Sequence, residues 1–304
     1  MKKMRKKKTL KSLIAVMLVL VLAASGYIVH RSMSIRAAKE KAAAEAQAAE
    51  EAQRKAEEEA AKEAQEAAIA SHVYSHRGSE GPDEHSFKAY DAAIAAGSRY
   101  IEQDVVCSSD GVLYVSHDLN AVTMTGYNGM YEYISSETVD GLKTYAGNPV
   151  LRLSQVFDKY GKDITYVVEL KDGRDKCTKA FEDMVDQYGY SDVIIVQSMY
   201  PDVLEELEKK YPDMPKLLVC WSQSAFEGSV DSPFVDILSV KANAGLITEA
   251  NCKLAHKNGK QFSAWTLNDE ESIKRAIDLG VDSYFTNDTP LALSIERDYG
   301  VGKR

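Results

Sequence analysis

The stretch QFSAWTLNDEESIKRAIDLGVDSYFTNDTP, residues 261–290, decides the fold. It reads as a short strand at Gln261–Trp265, an amphipathic helix at Glu270–Leu279 and a second short strand at Ser283–Thr286. The same order runs backward along the chain. Candidate strands are His72–Ser75, Tyr100–Val106, Thr165–Leu170, Val193–Val196, Leu217–Cys220 and Ile237–Val240, with helical stretches at Ser86–Ala96, Lys176–Tyr188, Asp202–Tyr211 and Thr248–Asn258 between most of them. Eight strands in βα alternation over roughly 230 residues point to parallel pairing and predict a (β/α)8 TIM barrel over residues 71–304. A doubly wound open sheet is the other architecture the alternation allows. An extra apolar stretch, Val112–Ser116, follows the second strand across the Asp110-Gly111 turn. Residues 119–149, rich in Gly, Tyr, Asn, Met and Thr, break the repeat and are expected to form an insertion near the top of the barrel, where βα loops shape access to substrate.

The first seventy residues have a different character. Residues 1–12 carry seven Lys/Arg and no acid, and residues 13–29 are almost wholly apolar. That pattern predicts a single-pass anchor with its basic end in the cytoplasm and the large domain outside the cell membrane. Ala23-Ala24-Ser25 leaves cleavage of a signal, and secretion, as the alternative. Residues 36–70 are an Ala/Glu/Lys/Gln run without Gly or Pro, expected to be a solvated helical linker. Across 71–304, 23 Lys/Arg face 37 Asp/Glu, a balance of −14 that repels polyanions and argues against nucleic acid as a partner. Cys107, Cys177, Cys220 and Cys252 form no Cys-x-x-Cys motif and read as small buried residues. Nothing in the sequence sets an oligomeric state.

A barrel presents its chemistry where its strands end. The first strand ends in Ser75-His76-Arg77, the second carries Glu102-Gln103-Asp104, and the third ends in Glu169-Leu170-Lys171. Gln197-Ser198, Cys220-Trp221, Trp265-Thr266 and Thr286-Asn287-Asp288 close the fourth, fifth, seventh and eighth. Side chains alternate along a strand, so Glu102 and Asp104 share a side, as do Glu169 and Lys171. If that side is the lumen, three carboxylates converge, and such hard oxygen ligands suit Mg²⁺ or Ca²⁺. His117, in Ser116-His117-Asp118, is a second histidine at the same rim as His76. Two imidazoles can divide the work of deprotonating a nucleophile and protonating a leaving oxygen.

The ordered set His76-Arg77-Gly78, Glu84-His85-Ser86, Glu102-Gln103-Asp104-Val105, Asp110-Gly111, His117-Asp118, Glu169-Leu170-Lys171, Gln197-Ser198, Trp265-Thr266-Leu267-Asn268 and Thr286-Asn287-Asp288-Thr289-Pro290 resembles the glycerophosphodiester phosphodiesterase family. The resemblance covers essentially all of residues 72–290. It implies a TIM barrel, a divalent metal held by Glu102, Asp104 and Glu169, and acid/base catalysis by His76 and His117. Arg77 and Lys171 are then expected to bind the substrate phosphate, and Glu84, Gln197 and Trp265 to line the pocket. The family's substrate is thought to attack its own phosphorus through a glycerol hydroxyl, giving a cyclic phosphate that water opens. Glu84-His85-Ser86 stands where the family usually reads Glu-Asn-Thr, and His72, His85 and His256 are assigned to structure or surface.

The expected function is therefore metal-dependent hydrolysis of a small glycerophosphodiester to sn-glycerol 3-phosphate and an alcohol. Two alternatives stand beside it: a phospholipase-D-like lyase acting on lysophospholipid or sphingolipid, and a noncatalytic binding module tethered to the membrane. Retention of both histidines and all three carboxylates disfavours the module, and the 119–149 insertion argues against the lyase.

Overall fold

The computed structural model describes Met17, Arg31, Met33, Arg36, Lys39 and residues 41–55, 73–79 and 84–301. The chain divides into two compact units, Met1–Glu63 and Ala64–Arg304. In the first, residues 41–55 are helical and exposed, as the Ala/Glu/Lys composition requires, with i,i+4 pairs such as Lys55–Glu51 along the surface. The apolar run 13–29 lies outside the described residues except for Met17, and among the described residues no helix is long and apolar enough to cross a membrane.

The second unit is a closed barrel. Its strands are β1 (Val73–Ser75), β2 (Tyr100–Cys107), β3 (Leu113–Val115), β4 (Thr165–Leu170), β5 (Ile194–Ser198), β6 (Lys216–Cys220), β7 (Ile237–Lys241), β8 (Gln261–Trp265) and β9 (Ser283–Thr286). They lie in the order β1-β9-β8-β7-β6-β5-β4-β2, and β1 pairs with β2 to close the ring, so all eight barrel strands are parallel. The open-sheet alternative is thereby excluded. Alternation sorts side chains into two layers. Tyr74, Val167, Ile195, Leu217, Val219, Ile237 and Phe285 fill the lumen, while Ile101, Val105, Val168, Val196, Leu238 and Phe262 face the outer helices.

Each expected strand is found within two residues of its reading. The largest shift is in β5, where Gln197 and Ser198 belong to the strand rather than following it. Between β6 and β7 the crossover holds only a short helix, Gln223–Glu227, and the helices Leu153–Tyr160 and Thr289–Tyr299 were not read from sequence. Pro290 opens the last of these at a position where the missing N–H costs nothing.

β3 runs antiparallel to β2, pairing Val105 with Val115 and Cys107 with Leu113. This hairpin rises beyond the barrel rim and returns the chain to the height of Asp104, where the Ser116 N–H donates to the Asp104 carbonyl at 2.9 Å. The insertion then folds against the hairpin rather than trailing from it. Ala121, Tyr131, Ile134 and Val139 pack with Val106 and Tyr114 as a small core of their own.

Candidate active site

The loop after β1 is held in an unusual backbone. The His76 N–H donates to the Thr286 carbonyl at 3.0 Å, which fixes the start of the loop on β9. Arg77 and His85 both adopt positive φ, +55° and +57°, a left-handed conformation that costs a non-glycine residue free energy and is retained where surroundings over-determine it. Two hydrogen bonds do so: the Arg77 N–H donates to Glu102 Oε2 at 2.7 Å, and the His85 N–H to the Arg77 carbonyl at 3.0 Å. Gly78 has φ +101°, and a Cβ there would lie 2.7 Å from the carbonyl carbon and Cβ of Ala89. The glycine lets the loop press onto the helix Phe87–Ala96, whose first turn is capped by the Ser86 hydroxyl.

The two catalytic candidates are oriented by neighbouring side chains. His76 Nδ1 lies 2.6 Å from Asn287 Oδ1, so the ring donates there and Nε2 is left as the unprotonated nitrogen of the neutral ring. Burial, followed by the Arg77 charge, lowers the His76 pKa to about 4. His117 Nδ1 lies 2.9 Å from Asp118 Oδ1, and burial lowers its pKa also. Both rings are therefore neutral near pH 7 and each keeps Nε2 available to accept a proton.

Below them the carboxylates are crowded. Glu102, Asp104 and Glu169 are all buried. Burial and then the charge of Asp104 push Glu102 well above its ordinary range and Glu169 up to about 7. Burial acts on Asp104 in the same sense, but the His85 hydrogen bond, Lys171 and Arg77 outweigh it and hold Asp104 well below the ordinary carboxylate range. Lys171 Nζ stands 2.9 Å from Glu169 Oε1 and 3.5 Å from Asp104 Oδ1, and Gln197 donates to Glu169 Oε2 at 2.6 Å. Two cations, Arg77 and Lys171, thus face three buried carboxyl groups, and the crowding that raises Glu102 and Glu169 is what a bound cation would relieve.

Most of the expected site residues meet in one cleft. His76, Arg77, Asp104, His117, Glu169, Lys171, Gln197 and Trp265 line a cavity of about 130 Å³, with Val219, Trp221, Thr266 and Phe285 completing its wall. Glu102 lies beneath it against the Arg77 backbone. Glu84 sits on the loop outside the cleft wall and reaches Arg77 Nη1 at 3.1 Å. Of the two places assigned to His85, structure or surface, it takes the first. It is 1% exposed, with Nε2 at 3.0 Å from Asp104 Oδ2 and Nδ1 at 3.1 Å from the Tyr90 hydroxyl. Among the described residues, His85, Glu102 and Asp104 form a group whose ligand atoms all lie within 4.8 Å of one another, and Glu169 is not in it. Asn287, Asp118 and Trp221 were read as parts of strand ends and motifs, with no place in the expected site. His256 does lie at the surface, paired with Asp282 at 2.7 Å, and His72 lies outside the described residues.

A parallel barrel whose C-terminal rim joins two bare imidazole nitrogens, an arginine, a lysine and a carboxylate cluster defines a hydrolase of phosphoric esters. The model of the glycerophosphoryl diester phosphodiesterase family matches residues 76–291, and the chain belongs to that family. Two bacterial glycerophosphodiester phosphodiesterases are similar in sequence. That of Caldanaerobacter subterraneus is 26% identical over 75% of this chain and 98% of its own length, and that of Bacillus subtilis is 23% identical over 74% and 86%. Among solved structures, an Oleispira antarctica phosphodiesterase in complex with the product sn-glycerol-3-phosphate superposes with a TM-score of 0.66 at 19% identity, over 74% of this chain and 96% of that one.

Proposed function

We propose that this chain hydrolyses glycerophosphodiesters to sn-glycerol 3-phosphate and an alcohol with the help of a divalent metal, Mg²⁺ or Ca²⁺. The observation that carries this reading is the meeting of His76 and His117 in one cleft with Arg77, Lys171 and the buried carboxylates. In the proposed reaction one imidazole takes the proton of the attacking hydroxyl. Phosphorus gains that oxygen, the substrate's own glycerol hydroxyl, and the P–O bond to the alcohol breaks, while the other imidazole, protonated when the negative phosphate enters the cleft, gives its Nε2 proton to the departing oxygen. Water then opens the cyclic phosphate with the two proton transfers reversed, which releases sn-glycerol 3-phosphate and restores both rings. Arg77 and Lys171 hold the non-bridging oxygens and gain strength as charge develops on them.

Glu102, Asp104 and Glu169 are the proposed ligands, with His85 fixing Asp104. The donor set fits a hard cation, since it is rich in carboxyl oxygen and a cation would stabilise the ionised forms that burial and mutual repulsion disfavour at Glu102 and Glu169. A bound cation supplies charge neutralisation at a phosphoryl oxygen. The N-terminal basic and apolar segments support an anchored domain outside the cell membrane.

Purified full-length protein, assayed on glycerophosphocholine, glycerophosphoethanolamine and glycerophosphoglycerol, tests the activity. Release of sn-glycerol 3-phosphate that stops with chelator and returns with Mg²⁺ or Ca²⁺ is expected. No cleavage of any diester with either ion present would overturn the proposal.

A further inference from the structure

β7 stands across the barrel from β2, four places round the ring of eight. Trp221 directly follows β6, Lys241 ends β7 and Trp265 ends β8, so three adjacent strands place Trp, Lys and Trp on the side of the rim that faces the carboxylates. All three continue the lumen-facing registers of Val219, Ile237 and Ser263. The indoles meet edge to face at 4.7 Å. Lys241 Nζ lies 4.7 Å from the centre of the Trp221 ring and 5.5 Å from that of Trp265. Among the described residues no carboxylate pairs with Lys241, whereas Lys171 across the cleft is paired with Glu169 and Asp104. Trp221 remains 48% exposed, and both indoles line the cleft.

We infer that this wall is the subsite for the alcohol esterified to the phosphate, and that Lys241 selects a polyhydroxylated, non-cationic alcohol over an ammonium or trimethylammonium headgroup. The inference rests on the diesterase reading and names its substrate class. An aromatic pair alone would favour a quaternary ammonium, because its ring faces attract cations. Here Lys241 already lies over those faces, and a second cation would meet it at close range in a partly desolvated cleft. The domain's balance of −14 attracts cations from a distance, but that attraction is screened beyond about 10 Å and does not offset a like charge in contact. A polyol meets no such charge. Its C–H faces can lie on the half-exposed indole while its hydroxyl oxygens accept from the ammonium of Lys241.

The sequence contains two tryptophans, so tryptophan fluorescence reports on this wall alone. Full-length His117→Ala protein is titrated with glycerophosphoglycerol and with glycerophosphocholine, and the titration is repeated with Lys241→Met and Lys241→Arg added. This reads binding, so a chain that bound but never cleaved diesters would fail the activity and leave the subsite standing. Tighter binding of the glycerol diester by about 10-fold or more is expected. Lys241→Met should close most of that gap and Lys241→Arg should keep it. Equal affinities, a preference for choline, a gap unchanged in Lys241→Met, or no fluorescence response to either diester would each overturn the inference.

Discussion

His85 Nε2 lies 3.0 Å from Asp104 Oδ2, with both side chains buried, so the histidine that interrupts the loop after β1 fixes the orientation of a proposed metal ligand. Its own second nitrogen is held by Tyr90. Residues that orient ligands in this way typically cost 10–100-fold in metal affinity when removed. His85→Ala should therefore raise the Kd for Mg²⁺ or Ca²⁺ by about 10-fold or more, read by calorimetric titration. Glu169→Gln should weaken the metal as well, and unchanged affinity would take Glu169 out of the ligand set and leave His85, Glu102 and Asp104 as the cluster.

The burial of His76 beside Arg77 carries a pH signature. The folded protein holds the His76 pKa at about 4, below the ordinary 6.5, so between these values the unfolded chain binds more protons than the folded one. The neutral ring's contribution to stability is complete above pH 6.5 and is lost as the pH falls toward 4. In chelator, the Tm difference between wild type and His76→Gln should shift against the wild type over that window. A difference that stays flat from pH 7 to 4 would contradict the depressed pKa.

Gly78 is fixed by sterics more than by chemistry. Alanine there would combine a positive φ with a Cβ 2.7 Å from Ala89 backbone and side-chain carbon, a strain of about 1–3 kcal/mol or more. Gly78→Ala should lower the midpoint of urea unfolding and reduce kcat as the loop shifts Arg77 and His76. Wild-type stability together with wild-type turnover would show that the loop can move without cost.

The proposed topology has its own test. On that proposal, the seven basic residues before the apolar run keep the N-terminus in the cytoplasm, which would put residues 36–304 outside the cell membrane. Protease added to cells with permeable outer layers should remove the catalytic domain, and full protection would contradict the orientation.

The eight barrel strands were legible because a parallel strand under helices must be apolar and short, and each lies between turn residues. The helix Leu153–Tyr160 was hidden for a related reason. It has only eight residues and follows the insertion with no separate start signal, since its N-terminal cap is Arg152 rather than Ser, Thr, Asp or Asn. The polar site was legible as residue types at strand ends, which is why His76, Asp104, His117 and Lys171 fall in one cleft. The burial of His85 was not. It follows from the positive φ at Arg77 and His85, which turns the loop inward, and no local sequence rule announces a left-handed histidine. Of the aromatic wall only Trp265 was expected in the pocket, because Trp221, Lys241 and Trp265 are separated by 20 residues or more and meet only through the parallel pairing of β6, β7 and β8.

Turnover of the two histidine variants with metal at saturation is the most direct test that paired imidazoles at this rim carry out phosphodiester hydrolysis. With glycerophosphoglycerol as substrate, His76→Ala and His117→Ala should each lower kcat by ~10²-fold or more, with a smaller change in KM. Wild-type kcat in either variant would contradict the assignment of that histidine, and wild-type kcat in both would contradict the site.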